Sequence, residues 1–445
     1  MLGTRLELPK TLEEHMQNAD GHSGNGRLPR PAHPGSHPPK GHGRGGGRAP
    51  FFPDFDQAPF LVIWETTQAC DLACKHCRAE AQPNRHRDEL TTDEAKRMLD
   101  DVRRFGPIIF VFSGGDALKR PDIVELTAYG VSLGLRMAIT PATTPLCTRE
   151  RLEELSAAGV SRLAVSLDGP NAAVHDEFRQ VQGSFDHGLR ILRTALDVGM
   201  STQVNTVVAR HNVNDFRVMA ELLTDLGIVF WEVFFLVPMG RARPEDVAGA
   251  DAFEAVFNDL YDLAKTVPFD IKATAAPQYA RVVLQRKNAE MRTGARKEAS
   301  DILTDGAAHS LKDGIGRARG VNDGDGFLFV SHIGDIFPSG FLPKSAGNVR
   351  THDLVDVYRD SDLFVSLRDK ERLKGKCAVC EYRPVCSGSR ARAFAVTGDP
   401  LESEPYCAHV PRRYQELVAL GEAQPVDTYF RERALAHGIP LPVAD

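Results

Sequence analysis

Three cysteines, Cys70, Cys74 and Cys77, stand at C-x3-C-x2-C spacing in the stretch WETTQACDLACKHCR, residues 64–78, at the mouth of an apolar run. Thiolates select iron-sulfur clusters or zinc, and closed sites of either kind take four protein ligands. Three ligands on one short loop leave a coordination position open, which is the condition for chemistry at the metal. A second group, Cys377, Cys380, Cys386 and Cys407, begins C-x2-C-x5-C and adds a distal fourth. That set is closed, and its spacing fits either a fully ligated cluster or a structural zinc. Cys147 has no neighbour in the pattern and reads as a buried structural thiol.

The chain that must position these groups has 445 residues, 42% of them hydrophobic, enough for two globular units with cores of their own. A formal charge of -6 argues against a nucleic-acid-binding surface. No apolar run is long enough to span a bilayer, so no membrane partner is expected and a cytoplasmic location is. In that compartment thiols stay reduced, and clustered cysteines read as metal ligands.

Residues 1–50 are rich in Gly, Pro, His and Arg and lack an apolar pattern, so a disordered tail is expected there. From residue 60 short β-rich runs alternate with amphipathic helices, the pattern of parallel βα units. The runs fall at 60–64, 108–112, 136–140, 162–167, 203–208 and 229–235. A capping box of Thr91 and Glu94 starts the first helix, which buries Ala95, Met98, Leu99 and Val102. Six such units wind a doubly wound sheet or a complete or partial barrel, and both place chemistry at the carboxyl ends of the strands. Cys70–Cys77, Gly114-Gly115-Asp116, Ser166–Gly169 and Pro238–Gly240 all follow strand ends, which puts them on one rim. Residues 269–325 read as a linker with a strand at 269–272 and a helix at 278–292. A β-hairpin turning at His332-Ile333 opens the segment 326–412 that carries the second cysteine group, and 413–445 is a helical tail.

The C-x3-C-x2-C loop, followed one unit later by a Gly-Gly-acidic turn, resembles the radical S-adenosylmethionine (SAM) superfamily over residues 60–235. The resemblance implies a partial (β/α)6 TIM-type barrel of the α/β class over 51–268. It further implies a 4Fe-4S cluster held by Cys70, Cys74 and Cys77, with SAM chelating the fourth iron and being cleaved reductively. Hydrogen abstraction from a substrate follows, and an electron donor such as ferredoxin or flavodoxin is required. His76 falls where the family has an aromatic residue near the adenine, the alternative being a loop histidine. Gly114, Gly115 and Asp116 resemble the Gly-Gly-Glu turn at the SAM amino group, with Asp in place of Glu. Ser166 would face SAM, and Arg179 would pair with its carboxylate or else form a surface ion pair. Asn205 reaches the ribose or is an amide of the barrel interior.

The C-terminal cysteine stretch resembles a SPASM domain, an α+β extension that holds auxiliary clusters, and this favours iron-sulfur over zinc for Cys377, Cys380, Cys386 and Cys407. Two positions where that domain has cysteines read Ser339 and Ser389, so one auxiliary 4Fe-4S cluster is expected. Within the group, GDIFPSGFLPKSAGNVR and CEYRPVCSGSRARAFAVTGD resemble the branch that makes haem d1 and haem by an alternative route, which implies a modified tetrapyrrole as substrate. Relatives in peptide maturation make a peptide the alternative, and a non-catalytic zinc or cluster sensor is the reading without turnover. Arg390 and Arg392 either hold substrate carboxylates or belong to a solvated face, the commoner role for such a run.

Overall fold

The protein is described by a computed structural model over residues 54–294 and 320–436. The expected N-terminal tail, most of the second half of the expected linker, and residues 437–445 lie outside the described residues. Seven strands run parallel in sequence order: β1 (Leu61–Glu65), β2 (Ile109–Ser113), β3 (Arg136–Ile139), β4 (Arg162–Ser166), β5 (Thr202–Val208), β6 (Phe230–Phe235) and β7 (Asp270–Thr274). The helices between them are α1 (Thr92–Arg103), α2 (Ile123–Ser132), α3 (Arg149–Ala157), α4 (Ala172–Arg179), α5 (Ser184–Asp197), α6 (Phe216–Asp225) and α7 (Ala250–Leu263). The α/β partial barrel is therefore present, extended by β7 beyond the six expected strands. β7 pairs in register with β6, and α8 (Gln278–Arg292) follows it, so residues 269–292 continue the βα pattern and are not a linker.

Strand alternation explains the layering. In β1, Val62 and Trp64 are fully buried in the core beneath the helices, while Leu61 and Ile63 face the barrel interior. Each such buried side chain contributes ~1.5–3 kcal/mol. α1 begins at the expected capping box, with Thr91 Oγ1 accepting from Glu94 N at 3.3 Å and the Glu94 carboxylate accepting from Thr91 N at 2.8 Å. Its buried face is Ala95, Met98, Leu99 and Val102.

The C-terminal segment does not stand apart from the barrel. The expected hairpin forms from β8 (Phe327–Val330) and β9 (Asp335–Phe337), with β10 (Gly347–Asn348) beyond it. β8 also pairs in parallel with β1, giving the order β10-β9-β8-β1-β2-β3-β4-β5-β6-β7. The strand carrying the first cysteine loop thus sits between β8 and β2. The remaining helices are α9 (Leu354–Asp360), α10 (Asp362–Arg368), α11 (Gly375–Ala378), α12 (Arg390–Thr397), α13 (Arg412–Ala419) and α14 (Val426–Ala436). Among the described residues no helix is long and apolar enough to cross a membrane.

Candidate active site

The loop after β1 is held by main-chain contacts that only glycine permits. Gly115 N donates to Thr67 O at 2.7 Å, and Asp116 N donates to Ala69 O at 2.7 Å. A Cβ on Gly115 would lie 2.5 Å from Ala69 O and 2.6 Å from Gln68 O. Gly240, at the end of β6, approaches from the other side, where a Cβ would lie 2.5 Å from Cys77 O. The cysteine loop is therefore clamped between the turns after β2 and β6, and this close approach is the use of both glycines.

Each of the three sulfurs accepts a hydrogen bond. Leu72 N donates to Cys70 Sγ at 3.4 Å, Ala81 N to Cys77 Sγ at 3.4 Å and Arg179 Nη1 to Cys74 Sγ at 3.6 Å. All three cysteines are free, and all line one cavity of about 360 Å³. Burial, with the charges of Asp116, Cys74 and Cys77 adding to it, pushes the Cys70 thiol up to about 12. Thiols crowded in this way become thiolates when a metal supplies the compensating charge, so the donor set fits a metal cluster.

The residues expected around SAM do gather at this cavity. Gly114, Gly115, His76, Ser166, Arg179 and Asn205 line it with the three cysteines. Asp116 is instead fully buried, its carboxylate accepting from Leu118 N at 3.0 Å and Thr144 Oγ1 at 2.6 Å. The glycines of that turn face the cavity, and the acid braces the neighbouring loop. His76 stacks on Phe178 at 4.3 Å with planes 3° apart, and its Nδ1 is buried without a hydrogen-bond partner among the described residues. Burial and the Arg179 charge push it down to about 3, so the ring is neutral at physiological pH. Arg179 is no surface residue: its Nε lies 2.6 Å from Asp168 Oδ2, and Asp168 is fully buried. Asn205 Oδ1 accepts from Gln203 Nε2 at 2.7 Å, so this amide both lines the cavity and belongs to the barrel interior network.

Several cavity residues carry no motif. Arg78, one residue past Cys77, has its Nη1 2.8 Å from Glu65 Oε2, while Glu65 Oε1 lies 2.8 Å from His332 Nδ1. Arg78 lines the cavity with its guanidinium 4.6 Å from the Phe329 ring centre, tying the cysteine loop to the C-terminal hairpin. Burial would raise Glu65, but Arg78 and His332 hold it below the usual carboxylate range. Deeper in, Glu232 accepts from Lys272 Nζ at 3.1 Å, Thr274 Oγ1 at 2.6 Å and Gln203 Nε2 at 2.9 Å. Polar residues at alternate positions of β5 and β7, with the lone Glu232 of β6 between them, were the available signal for this network. Phe234, Phe329 and Phe341 supply apolar walls.

Cys377, Cys380, Cys386 and Cys407 line a second, smaller cavity. Cys377 Sγ accepts from Glu404 N at 3.4 Å, and Arg390 Nη2 lies 4.0 Å from it. Burial pushes Cys380 up to about 12. The two serines at absent-cysteine positions are both engaged. Ser339 Oγ donates to Asp323 Oδ1, and Ser389 Oγ caps α12 by accepting from Arg392 N at 3.2 Å. Asp323 Oδ2 accepts from Ala391 N at 2.9 Å, so this carboxylate joins the Ser339 hydroxyl to the start of α12. The solvated-face expectation for Arg390 and Arg392 is overturned, because both are fully buried. Arg390 Nη1 donates to Pro400 O at 3.0 Å and Glu402 O at 2.7 Å. Arg392 pairs with Glu404 at 3.0 Å and donates to Phe235 O at 3.1 Å, fastening α12 to the barrel. Cys147 is buried as expected, and burial pushes it up to about 12.

A barrel rim that presents three free thiols, two close-packed glycines and a stacked ring to one cavity defines an enzyme site built around a metal cluster. Residues 64–223 match the model of the radical SAM superfamily. The chain is 42% identical over 357 residues to an "AdoMet-dependent heme synthase" of Methanosarcina barkeri, covering 80% of this chain and 97% of that protein. It is 40% identical to an "AdoMet-dependent heme synthase" of Nitratidesulfovibrio vulgaris, covering 79% of this chain and 93% of that one. The crystal structure of Streptococcus suis SuiB bound to precursor peptide SuiA shares the fold with a TM-score of 0.59 at 16% identity, covering 79% of this chain and 76% of that chain. The chain belongs to the radical SAM superfamily and fits its haem-synthesis branch. It is an enzyme, and membership implies a 4Fe-4S cluster and SAM as cofactors.

Proposed function

We propose that the enzyme acts on a modified tetrapyrrole at the rim above Cys70, Cys74 and Cys77, altering side chains that carry carboxylates. Cys70, Cys74 and Cys77 would hold a 4Fe-4S cluster there, which would supply the electron for reductive cleavage of SAM and so for hydrogen abstraction from the substrate. The observation that carries the reading is the mixed lining of the main cavity. Arg78, Arg179 and Lys272, paired with Glu65, Asp168 and Glu232, bring cationic donor groups, and Phe234, Phe329 and Phe341 bring flat apolar faces, to the cavity that the three cysteines line. Guanidinium groups match carboxylates in shape, and aromatic faces match a macrocycle. The names of the two haem synthases point the same way.

In this reading His76 and its stacking partner Phe178 pack near the adenine. Gly114, Gly115, Ser166, Arg179 and Asn205 hold SAM, with Asp116 fixing the turn from behind. The closed set Cys377, Cys380, Cys386 and Cys407 holds one auxiliary 4Fe-4S cluster, and Ser339 and Ser389 take structural roles where further ligands would lie. Electrons come from a ferredoxin- or flavodoxin-type donor. The test is anaerobic reconstitution followed by incubation with SAM, dithionite and an iron tetrapyrrole bearing propionates. The expected result is about eight irons per chain, 5′-deoxyadenosine, and a mass change confined to the tetrapyrrole side chains. About twelve irons would overturn the single auxiliary cluster, and 5′-deoxyadenosine with an unchanged tetrapyrrole would overturn the substrate.

A further inference from the structure

The cavity bounded by Cys377, Cys380, Cys386 and Cys407 has two other walls from α8, Gln278 and Arg281. Gln278 is fully buried, and neither its Nε2 nor its Oε1 has a hydrogen-bond partner among the described residues. Arg281 is 3% exposed. Its Nη1 and Nη2 bond Glu254, and Nη1 also bonds Gln285, which leaves Nε without a partner among the described residues. Buried polar groups are almost always satisfied, and each orphan costs ~1–3 kcal/mol. Two orphan donors one helical turn apart on α8, both at the wall of a cavity lined by four sulfurs, call for an acceptor inside it.

We propose that Gln278 Nε2 and Arg281 Nε donate hydrogen bonds to sulfurs of a cluster held by the four cysteines, and so raise its reduction potential. The inference rests on the auxiliary-cluster reading given above. Hydrogen bonds to sulfur favour the reduced cluster, which carries more negative charge, and so does nearby positive charge. Two further cations near the cysteines add to the same effect: Lys376 Nζ donates to Cys407 O at 2.7 Å, and Arg390 Nη2 lies 4.0 Å from Cys377 Sγ. Gln278 is the first residue of α8, and Thr274, Ala275, Ala276 and Pro277 just before it line the main cavity. One short stretch of chain therefore faces the substrate side with its first residues and the auxiliary site with the next.

The test uses the full chain with Cys70, Cys74 and Cys77 all changed to Ala, so that only the auxiliary signal remains. Reconstitution should give about four irons per chain. In an EPR-monitored redox titration, Gln278→Leu should lower the ratio of reduced to oxidised cluster at a fixed potential about tenfold, which is ~59 mV for a one-electron couple. Arg281→Lys keeps the charge and moves the donor, so its shift should be smaller and of the same sign. An unchanged midpoint in Gln278→Leu with full iron would overturn the inference while leaving the cluster reading intact. Stoichiometric zinc and no iron in the parent would overturn both. Should Gln278→Leu fail to hold iron, the parent labelled with 15N in its Gln side chains gives a second reading. A nitrogen hyperfine coupling to the reduced cluster supports the bond, and its absence overturns it.

Discussion

Replacing Arg179 with Met tests whether the charge pair beside the first cysteine loop is part of the interior. Asp168 is fully buried, its Oδ2 is 2.6 Å from Arg179 Nε, and its Oδ1 accepts from Val207 N at 2.8 Å. Burial alone would raise this carboxyl, yet Arg179, with His76 and His175 behind it, holds it at about 2 against an ordinary 3.8. A depression of nearly two units corresponds to ~2–3 kcal/mol in favour of the ionised folded state. With the folded pKa below the unfolded one, that contribution is fully present above about pH 4 and is lost as the pH falls through about 2. In Arg179→Met the carboxylate keeps its burial and loses its partner, so its pKa rises above the ordinary value and acid relieves the penalty. Truncating one side of a buried pair costs ~3–5 kcal/mol, so a loss of ~2–4 kcal/mol is expected near pH 7.5, narrowing by ~1 kcal/mol or more near pH 5. Urea unfolding of the metal-free protein at both pH values measures this directly. An exposed pair is worth less than ~1 kcal/mol, and a loss that small, or one independent of pH, refutes the reasoning.

Gly115→Ala should disrupt the cysteine loop, because its Cβ would meet Ala69 O and Gln68 O at 2.5 and 2.6 Å, both main-chain atoms that cannot swing aside. Iron content and 5′-deoxyadenosine yield should both fall at least about tenfold, whereas Gly249→Ala, with open space around it, should stay within ~1 kcal/mol of the parent in stability. Cys70→Ala should abolish SAM cleavage, and Cys380→Ala should lose the auxiliary iron while still forming some 5′-deoxyadenosine without product. Continued cleavage by Cys70→Ala would show that the open cluster has been assigned to the wrong cysteines.

Much of the site was legible because its determinants are local. The spacing of Cys70, Cys74 and Cys77 fixes three thiols on one loop whatever surrounds them, and the capping box at Thr91 fixes where α1 starts. The strand ends placed the glycine turn and Ser166 on one rim, and both line the cavity, whereas Asn205 was expected there only from the family resemblance. The signal failed where a residue's role depends on its partner. Arg390 and Arg392 carry a surface-like pattern, and only the packing of α12 against Glu404, Pro400 and Phe235 makes them interior struts.

The sequence by itself determined the two cysteine groups, the parallel βα order and the single rim, since each follows from spacing and from periods of 2 and 3.6 residues. Only the tertiary structure decided which charges compensate which. Glu65 meets His332 across 267 residues. β8 joins β1 from a segment that reads as a separate domain, and α8 brings Gln278 and Arg281 to cysteines about a hundred residues further on. Such pairings depend on distance in space and on burial, which raises the cost of every unmatched polar group, and neither is written in local spacing.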